Sequence, residues 1–260
     1  MTAERSNGGT IFIDCGSGVS GDMMLGALVD LGADVGQIKE ELGKLAIGYF
    51  DLVAEKAERN GIQGTNLHVI VRDRPMHDFD YGVPGHYHTA YADIAAMIEK
   101  SALSPRVKEI ALQVFALIAE AEGAVHGVPV AEVAFHEVGA MDSILDIVGT
   151  AVAVDLLGIQ KVYVGEIHDG RGTVMCRHGL IPVPVPAVLE MLKKGGFPLI
   201  TEASVQTEMV TPTGLGLLLG LGAVYAPQLS VKPTKIGYGF GKRETGRFPA
   251  VRIIMGEIDE

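Results

Sequence analysis

An α/β fold, built as a mixed sheet with flanking helices and an inserted helical hairpin, is predicted by three features of the sequence, with α+β as the alternative. Near the start, a β-rich segment from Thr10 to Cys15 runs through the glycine-rich GSGVSG into a segment of helical apolar spacing, about Gly21 to Leu31. Strand-like and helix-like patterns then alternate to the end of the chain. Between them, two consecutive helical patterns, Ala90 to Lys100 and Ser104 to Val125, have no strand between them and read as the hairpin.

The elements follow in order. The first nine residues, MTAERSNGG, are polar and are set aside as a tail, leaving residues 10–260 as a single domain. After the first helix comes a second from Asp34 to about Leu42. Two strands, Tyr49 to Glu58 and Thr65 to Arg72, flank a turn at Asn60-Gly61 and predict a hairpin. Residues 73–89 show neither period and form a histidine-containing loop; loops of this length are usually functional or mobile. In the helical pair that follows, Ser104 is placed to cap and Pro105 to start the second helix, which His126-Gly127 ends, so the hairpin covers residues 90–126. Ile144, Ile147, Val148 and Ala151 repeat at helical spacing behind HEVGAMD. Lys161 to His168 reads as a strand with Gly170 to Cys176 as its partner, followed by a helix from Pro184 to Leu192 and a short strand at Leu199 to Thr201. Thr211 and Pro212 open another helix, and strands near Leu229 to Ile236 and Ala250 to Glu257 finish the fold.

Composition narrows the function classes. Hydrophobic residues make up 48% and charged residues 20%, ordinary for a folded domain. The net charge of −11 argues against nucleic acid, whose phosphates need clustered Lys and Arg, and suits a cationic partner. The longest apolar run, Gly214 to Ala226, falls short of the roughly 20 residues that span a bilayer and is broken by glycines, so no membrane segment is expected. The N-terminal residues lack the apolar stretch of a secretory signal, and Cys15 and Cys176 form no CxxC pair. Both observations predict a reducing, cytoplasmic setting.

The residues that carry chemistry centre on HEVGAMDSILD. Asp142 and Asp146 are four apart, so a helix places both carboxylates on one face, while His136 and Glu137 approach from the segment before it. Oxygen donors suit Mg²⁺ or Mn²⁺, and an added imidazole shifts the preference toward Ni²⁺, Zn²⁺ or Fe²⁺. For any one acid alone, placement at a helix N-terminus for dipole reasons is the competing explanation. GSGVSG presents Gly16, Ser17, Gly18, Ser20 and Gly21 between a strand and a helix, where free backbone N–H groups cradle phosphate. Asp14 and Asp22 on either side better suit a metal-bridged phosphate or a helix start. A dinucleotide-dependent oxidoreductase is the remote alternative for this motif, since no second strand ends in an acid about 20 residues on. His77, His86 and His88, with Asp78 and Asp80, offer ligands in the loop. Arg171, Arg177 and His178 make a local positive group for an anionic ligand, and Glu208 beside Thr211 and Thr213 adds a ligand or phosphate contact.

Taken in order, FIDCGSGVSGDMMLGALVDLG, HYHTAYADI, AEAEGAVHGVPVAEVAFHEVGAMDSILDIVG, GRGTVMCRHGLIPVPVPAVLEML, TEMVTPTGLGLL and KIGYGFGKR resemble the LarC family, the nickel insertases of nickel-pincer cofactor biosynthesis, over nearly the full chain. The resemblance implies insertion of Ni(II) into pyridinium bisthiocarboxylic acid mononucleotide, forming one carbon–nickel and two sulfur–nickel bonds. On this basis His86 and His88 deliver nickel, and His136, Glu137, Asp142 and Asp146 hold or relay it, with Asp14 and Asp22 nearby. His136 or Glu137 is the base, and the glycine loop with Arg171, Arg177 and His178 takes the substrate's phosphate and carboxylate charge. Two departures stand out. The loop is thin in histidine, and AFHEVGA carries Ala134 where the family often has an imidazole, so nickel storage by the loop is not carried over. The family continues into a C-terminal domain that binds CTP with Mg(II) or Mn(II), and this chain stops at Glu260, about where that domain begins. A CTP-binding domain or chain is therefore an expected partner, together with the sulfur-transferase of the same pathway and a homo-oligomer. A non-catalytic nickel carrier is the alternative.

Overall fold

The computed structural model describes residues 9–71, 89–135, 141–176 and 178–259. His77, Asp78, Asp80, His86, His88, His136, Glu137 and Arg177 lie outside the described residues.

The chain opens with β1 (Gly9–Cys15), α1 (Gly21–Leu31), α2 (Val35–Leu42), β2 (Phe50–Arg59) and β3 (Ile62–Val71), then β4 (Thr89–Ala90), α3 (Tyr91–Lys100) and α4 (Pro105–His126). A 3-10 turn at Val130–Glu132 leads to β5 (Ala134–Phe135), α5 (Met141–Leu156), β6 (Ile159–Asp169), β7 (Thr173–Cys176) and β8 (Gly179–Pro182). The remainder comprises α6 (Pro186–Gly195), β9 (Leu199–Thr201), α7 (Pro212–Gly220), β10 (Val224–Tyr225), β11 (Ser230–Phe240) and β12 (Ala250–Asp259). Helix starts follow side-chain chemistry. Asp34 accepts from Gln37 N at 2.8 Å, Ser104 from Val107 N at 3.3 Å and Thr211 from Gly214 N at 3.1 Å, the last two with proline in the first turn.

Eight strands form one mixed sheet in the order β10-β6-β1-β12-β11-β3-β2, with β9 also on β6. β1 runs parallel to β6 and antiparallel to β12, and β2 and β3 form an antiparallel hairpin. Alternation along β1 sends Ile11, Ile13 and Cys15 into the core, and α1 lies across the neighbouring strands β11, β3 and β12. α4 packs behind this layer against α5, α6 and α7, and α3 packs on α4. The fold is α/β, with helices flanking a mixed sheet. No helix among the described residues is long and apolar enough to cross a membrane.

One expected pairing is corrected. The segment Gly170 to Cys176 does not pair with β6; its strand, β7, pairs antiparallel with β8, from Thr173↔Pro182 to Cys176↔Gly179. β9 and β10 occupy the outer edge of β6 instead. After Asp169 the chain is drawn toward residues 205–207, with Arg171 N donating to Val205 O at 2.8 Å.

Candidate functional site

Parallel strands β1 and β6 end side by side, the position where open α/β sheets place their ligand crevices. Two loops leave this edge and are stitched together. Val19 N donates to Met209 O at 2.9 Å, and Thr211 N donates to Val19 O at 3.0 Å. The contact needs Gly18, which has φ +83° and where a Cβ would lie 2.1 Å from Met209 O. Asp169, at the end of β6, fixes the second loop. Its Oδ1 accepts from Gly170 N at 2.8 Å, Met209 N at 2.7 Å and Val210 N at 3.1 Å. Arg247 secures the first loop, donating to Gly16 O at 2.9 Å while pairing with Glu202 at 3.0 Å. Hydrogen bonding from His168, then the Arg247 charge, holds the Glu202 carboxyl below its usual range.

The stitched loops place the N-termini of α1 and α7 together, beside α5. A cleft of about 230 Å³ opens there, lined by Ser17, Ser20, Asp22, Glu208, Lys242 and Arg243 among others. Ser20 Oγ donates to Asp22 Oδ1 at 2.5 Å, Lys242 pairs with Asp22 Oδ2 at 3.0 Å, and Arg243 pairs with Glu208 at 2.5 Å. Thr211 lines the cleft and caps α7, and Thr213 is buried in the first turn.

Asp146 lies against the start of α1, so close that a Cβ on Gly21 would sit 2.8 Å from Asp146 Cβ and Oδ2. Its Oδ1 is buried with no hydrogen-bond partner among the described residues. Burial, followed by the charges of Asp22 and Asp142, pushes the Asp146 carboxyl well above the usual carboxylate range, and Lys242 only partly opposes them. Three acids thus crowd one end of the helix layer. Asp142 itself is exposed at the start of α5.

The expected residues are not all brought together. Asp14 is engaged by other partners, pairing with Arg252 at 2.5 Å and accepting from Gly16 N at 3.0 Å. In the glycine loop, the N–H groups of Gly16, Gly18 and Val19 are committed to Asp14 Oδ1, Cys15 O and Met209 O, so these three do not serve as a phosphate cradle. Arg171 is held by Thr201, at 3.1 and 2.9 Å from its hydroxyl. Burial pushes the Cys15 thiol up, which makes it a core residue rather than a nucleophile. Among the described residues, no three His, Cys, Asp or Glu side chains are arranged to close around one metal ion. Asp169, Lys242, Arg243 and Arg247 were not singled out from sequence; for Lys242 and Arg243 the available signal was their position at the end of KIGYGFGKR.

The sequence profile of the nickel insertion protein family matches residues 11–260. The chain is 47% identical over 253 residues to the "Pyridinium-3,5-bisthiocarboxylic acid mononucleotide nickel insertion protein" of Acetivibrio thermocellus, covering 96% of this chain and 61% of that protein. It is 43% identical over 261 residues to the protein of that name from Lactiplantibacillus plantarum, with 95% and 61% covered. For the protein of that name from Desulfitobacterium hafniense strain DCB-2 the identity is 38% over 247 residues, with 95% and 58% covered. The chain spans about three fifths of the length of these curated relatives. A search of solved structures gave no significant match. The chain belongs to the nickel insertion protein family.

Proposed function

We propose that this chain takes part in inserting Ni(II) into pyridinium-3,5-bisthiocarboxylic acid mononucleotide, the compound for which its relatives are named. The observation that carries this is the buried Asp146 oxygen without a partner, beside Asp22 and Asp142 and next to a cleft rimmed by Lys242 and Arg243. A buried carboxylate among like charges is unfavourable until a cation arrives, and oxygen donors accept a divalent ion. Nickel is the cationic substrate of this cluster. His136 and Glu137, from the segment just before α5, join Asp146 and Asp142 in holding it.

The mononucleotide phosphate lies against Lys242 and Arg243, with the Ser17 and Ser20 hydroxyls, rather than on the loop's committed N–H groups. Insertion forms one carbon–nickel and two sulfur–nickel bonds and releases the proton of the metallated ring carbon. That proton passes to a base of the same cluster, Asp146, His136 or Glu137. His86 and His88 deliver nickel to the cluster. The reaction runs in the cytoplasm, draws on CTP with Mg(II) or Mn(II) through a CTP-binding domain or partner chain, and receives its substrate from the pathway's sulfur-transferase. The working unit is a homo-oligomer. The supporting fact for a further part is that the matched relatives extend well beyond the matched region.

The test mixes the protein and a CTP-binding part from a relative with substrate, NiCl₂, CTP and Mg²⁺, and follows the nickel-bearing product by mass spectrometry. Product formation above the protein-free rate is expected. A rate equal to the protein-free control overturns insertion, and nickel binding without product selects the carrier alternative.

A further inference from the structure

A second cavity, of about 390 Å³, adjoins the acidic cleft, and Glu208 and Arg243 line both. Small-molecule sites enclose roughly 300–1,000 Å³. The cleft, at about 230 Å³, is below that range, and the cavity is within it. Their linings differ too. The cleft has both Lys242 and Arg243, whereas Arg243 is the only lysine or arginine among the described residues of the cavity wall, where Glu208 offsets it. The cavity is walled mainly by apolar side chains: Val125 of α4, Val174 and Ile181 paired across the β7–β8 hairpin, Val185 at the entry to α6, and Pro212 in the first turn of α7. The same turn leads to the acid cluster. A Cβ on Gly21 would meet both Thr213 Cγ2 and Asp146 Oδ2 at 2.8 Å, so Thr213, next to Pro212, borders the place where Asp146 packs.

We propose that this cavity holds the pyridinium ring of the mononucleotide, with the ribose passing Arg243 and the phosphate in the cleft. The identity of the ligand rests on the insertion reading; its division between the two spaces rests on their size and charge. The phosphate takes the end with two cations, because the cavity would bring it against Glu122 and Glu208. The ring is flat and mostly carbon, and it gains by burying its faces on Val174, Ile181 and Pro212. This placement also sets the ring beside the first turn of α7, next to the acids assigned to nickel.

Cys176 reports on the cavity. It lines the wall and is partly exposed, while Cys15, the other cysteine of the chain, is fully buried. The experiment follows N-ethylmaleimide labelling of the folded protein by mass spectrometry under three conditions: without ligand, with saturating nickel-free pyridinium-3,5-bisthiocarboxylic acid mononucleotide, and with ribose 5-phosphate, which has the phosphate but no ring. Because labelling proceeds through the unoccupied fraction, the mononucleotide is expected to slow it at Cys176 by at least roughly tenfold. Ribose 5-phosphate is expected to leave it unchanged. Val174→Trp, which fills the cavity from the hairpin, is expected to raise KM in the insertion assay roughly tenfold with kcat little changed, and Val174→Ile to stay within about twofold, both in protein shown to be folded by circular dichroism. Unslowed labelling with the mononucleotide, equal protection by ribose 5-phosphate, or an unchanged KM in Val174→Trp overturns the placement. Labelling is read without nickel. Protection of Cys176 in a protein that forms no nickel-bearing product leaves the placement standing and counts only against insertion.

Discussion

The end of β6 and the start of α5 each bury an aspartate, and the two are treated in opposite ways. Asp169 and Asp146 each have an oxygen without a hydrogen-bond partner among the described residues, and burial pushes both carboxyls up. Around Asp169 the protein answers the charge with N–H groups from Gly170, Met209 and Val210, and with the nearby Arg243. Around Asp146 it adds Asp22 and Asp142. The first arrangement is a latch that holds the 205–211 segment in place. The second crowds three acids that Lys242 only partly offsets, an arrangement that an incoming cation would relieve.

Breaking the latch gives the largest expected effect. Asp169→Ala strands three buried donors and is predicted to destabilise the protein by about 3 kcal/mol, read by urea denaturation. Asp169→Asn keeps one acceptor oxygen and is predicted to lose less. Equal stability of the alanine variant would remove the latch from the account. Arg243→Ala removes a cleft cation and the ion-pair partner of Glu208; in protein shown to be folded by circular dichroism, it is predicted to raise KM for the mononucleotide roughly tenfold with a smaller change in kcat. An unchanged KM would move the phosphate elsewhere.

The smallest effect separates the two acids by pH. Because the folded Asp146 carboxyl is raised above the ordinary 3.8, the folded chain keeps a proton that the unfolded chain has lost. Stability therefore falls as pH climbs from the ordinary value through the raised one, and stays lower above it. Asp146→Asn, which cannot ionise, is predicted to melt higher than the unmodified protein at pH 8, with the difference vanishing near pH 4. A gain of about 1 kcal/mol corresponds to roughly 2–4 °C in Tm. A lower Tm for the variant at pH 8 would mean that the Asp146 charge is already compensated.

How much of this was visible in the sequence depends on the range of each interaction. The four-residue spacing of Asp142 and Asp146 put both on one helix, and α5 carries them. Ser104 with Pro105 and Thr211 with Pro212 marked helix starts through bonds only three residues long. Asp169 was not legible, because its partners at Met209 and Val210 lie 40 and 41 residues away. GSGVSG does lie between a strand and a helix. Its glycine spacing matches a phosphate loop because sequence does not reveal that Met209 O occupies the space beside Gly18. Similarly, the β-rich residues before Cys176 announced a strand but not its partner, which β8 supplies by a tight local hairpin. His126 read as a helix end, and only the fold sets it beside His178.

Measuring nickel insertion and bound nickel together, for Asp146→Asn and the unmodified protein, decides whether Asp146 receives nickel as proposed. Insertion is expected to fall by about 100-fold, with loss of the cleft's nickel, while the melting temperature at pH 8 is kept or raised. An Asp146→Asn protein that loads and inserts nickel at the unmodified rate would contradict it.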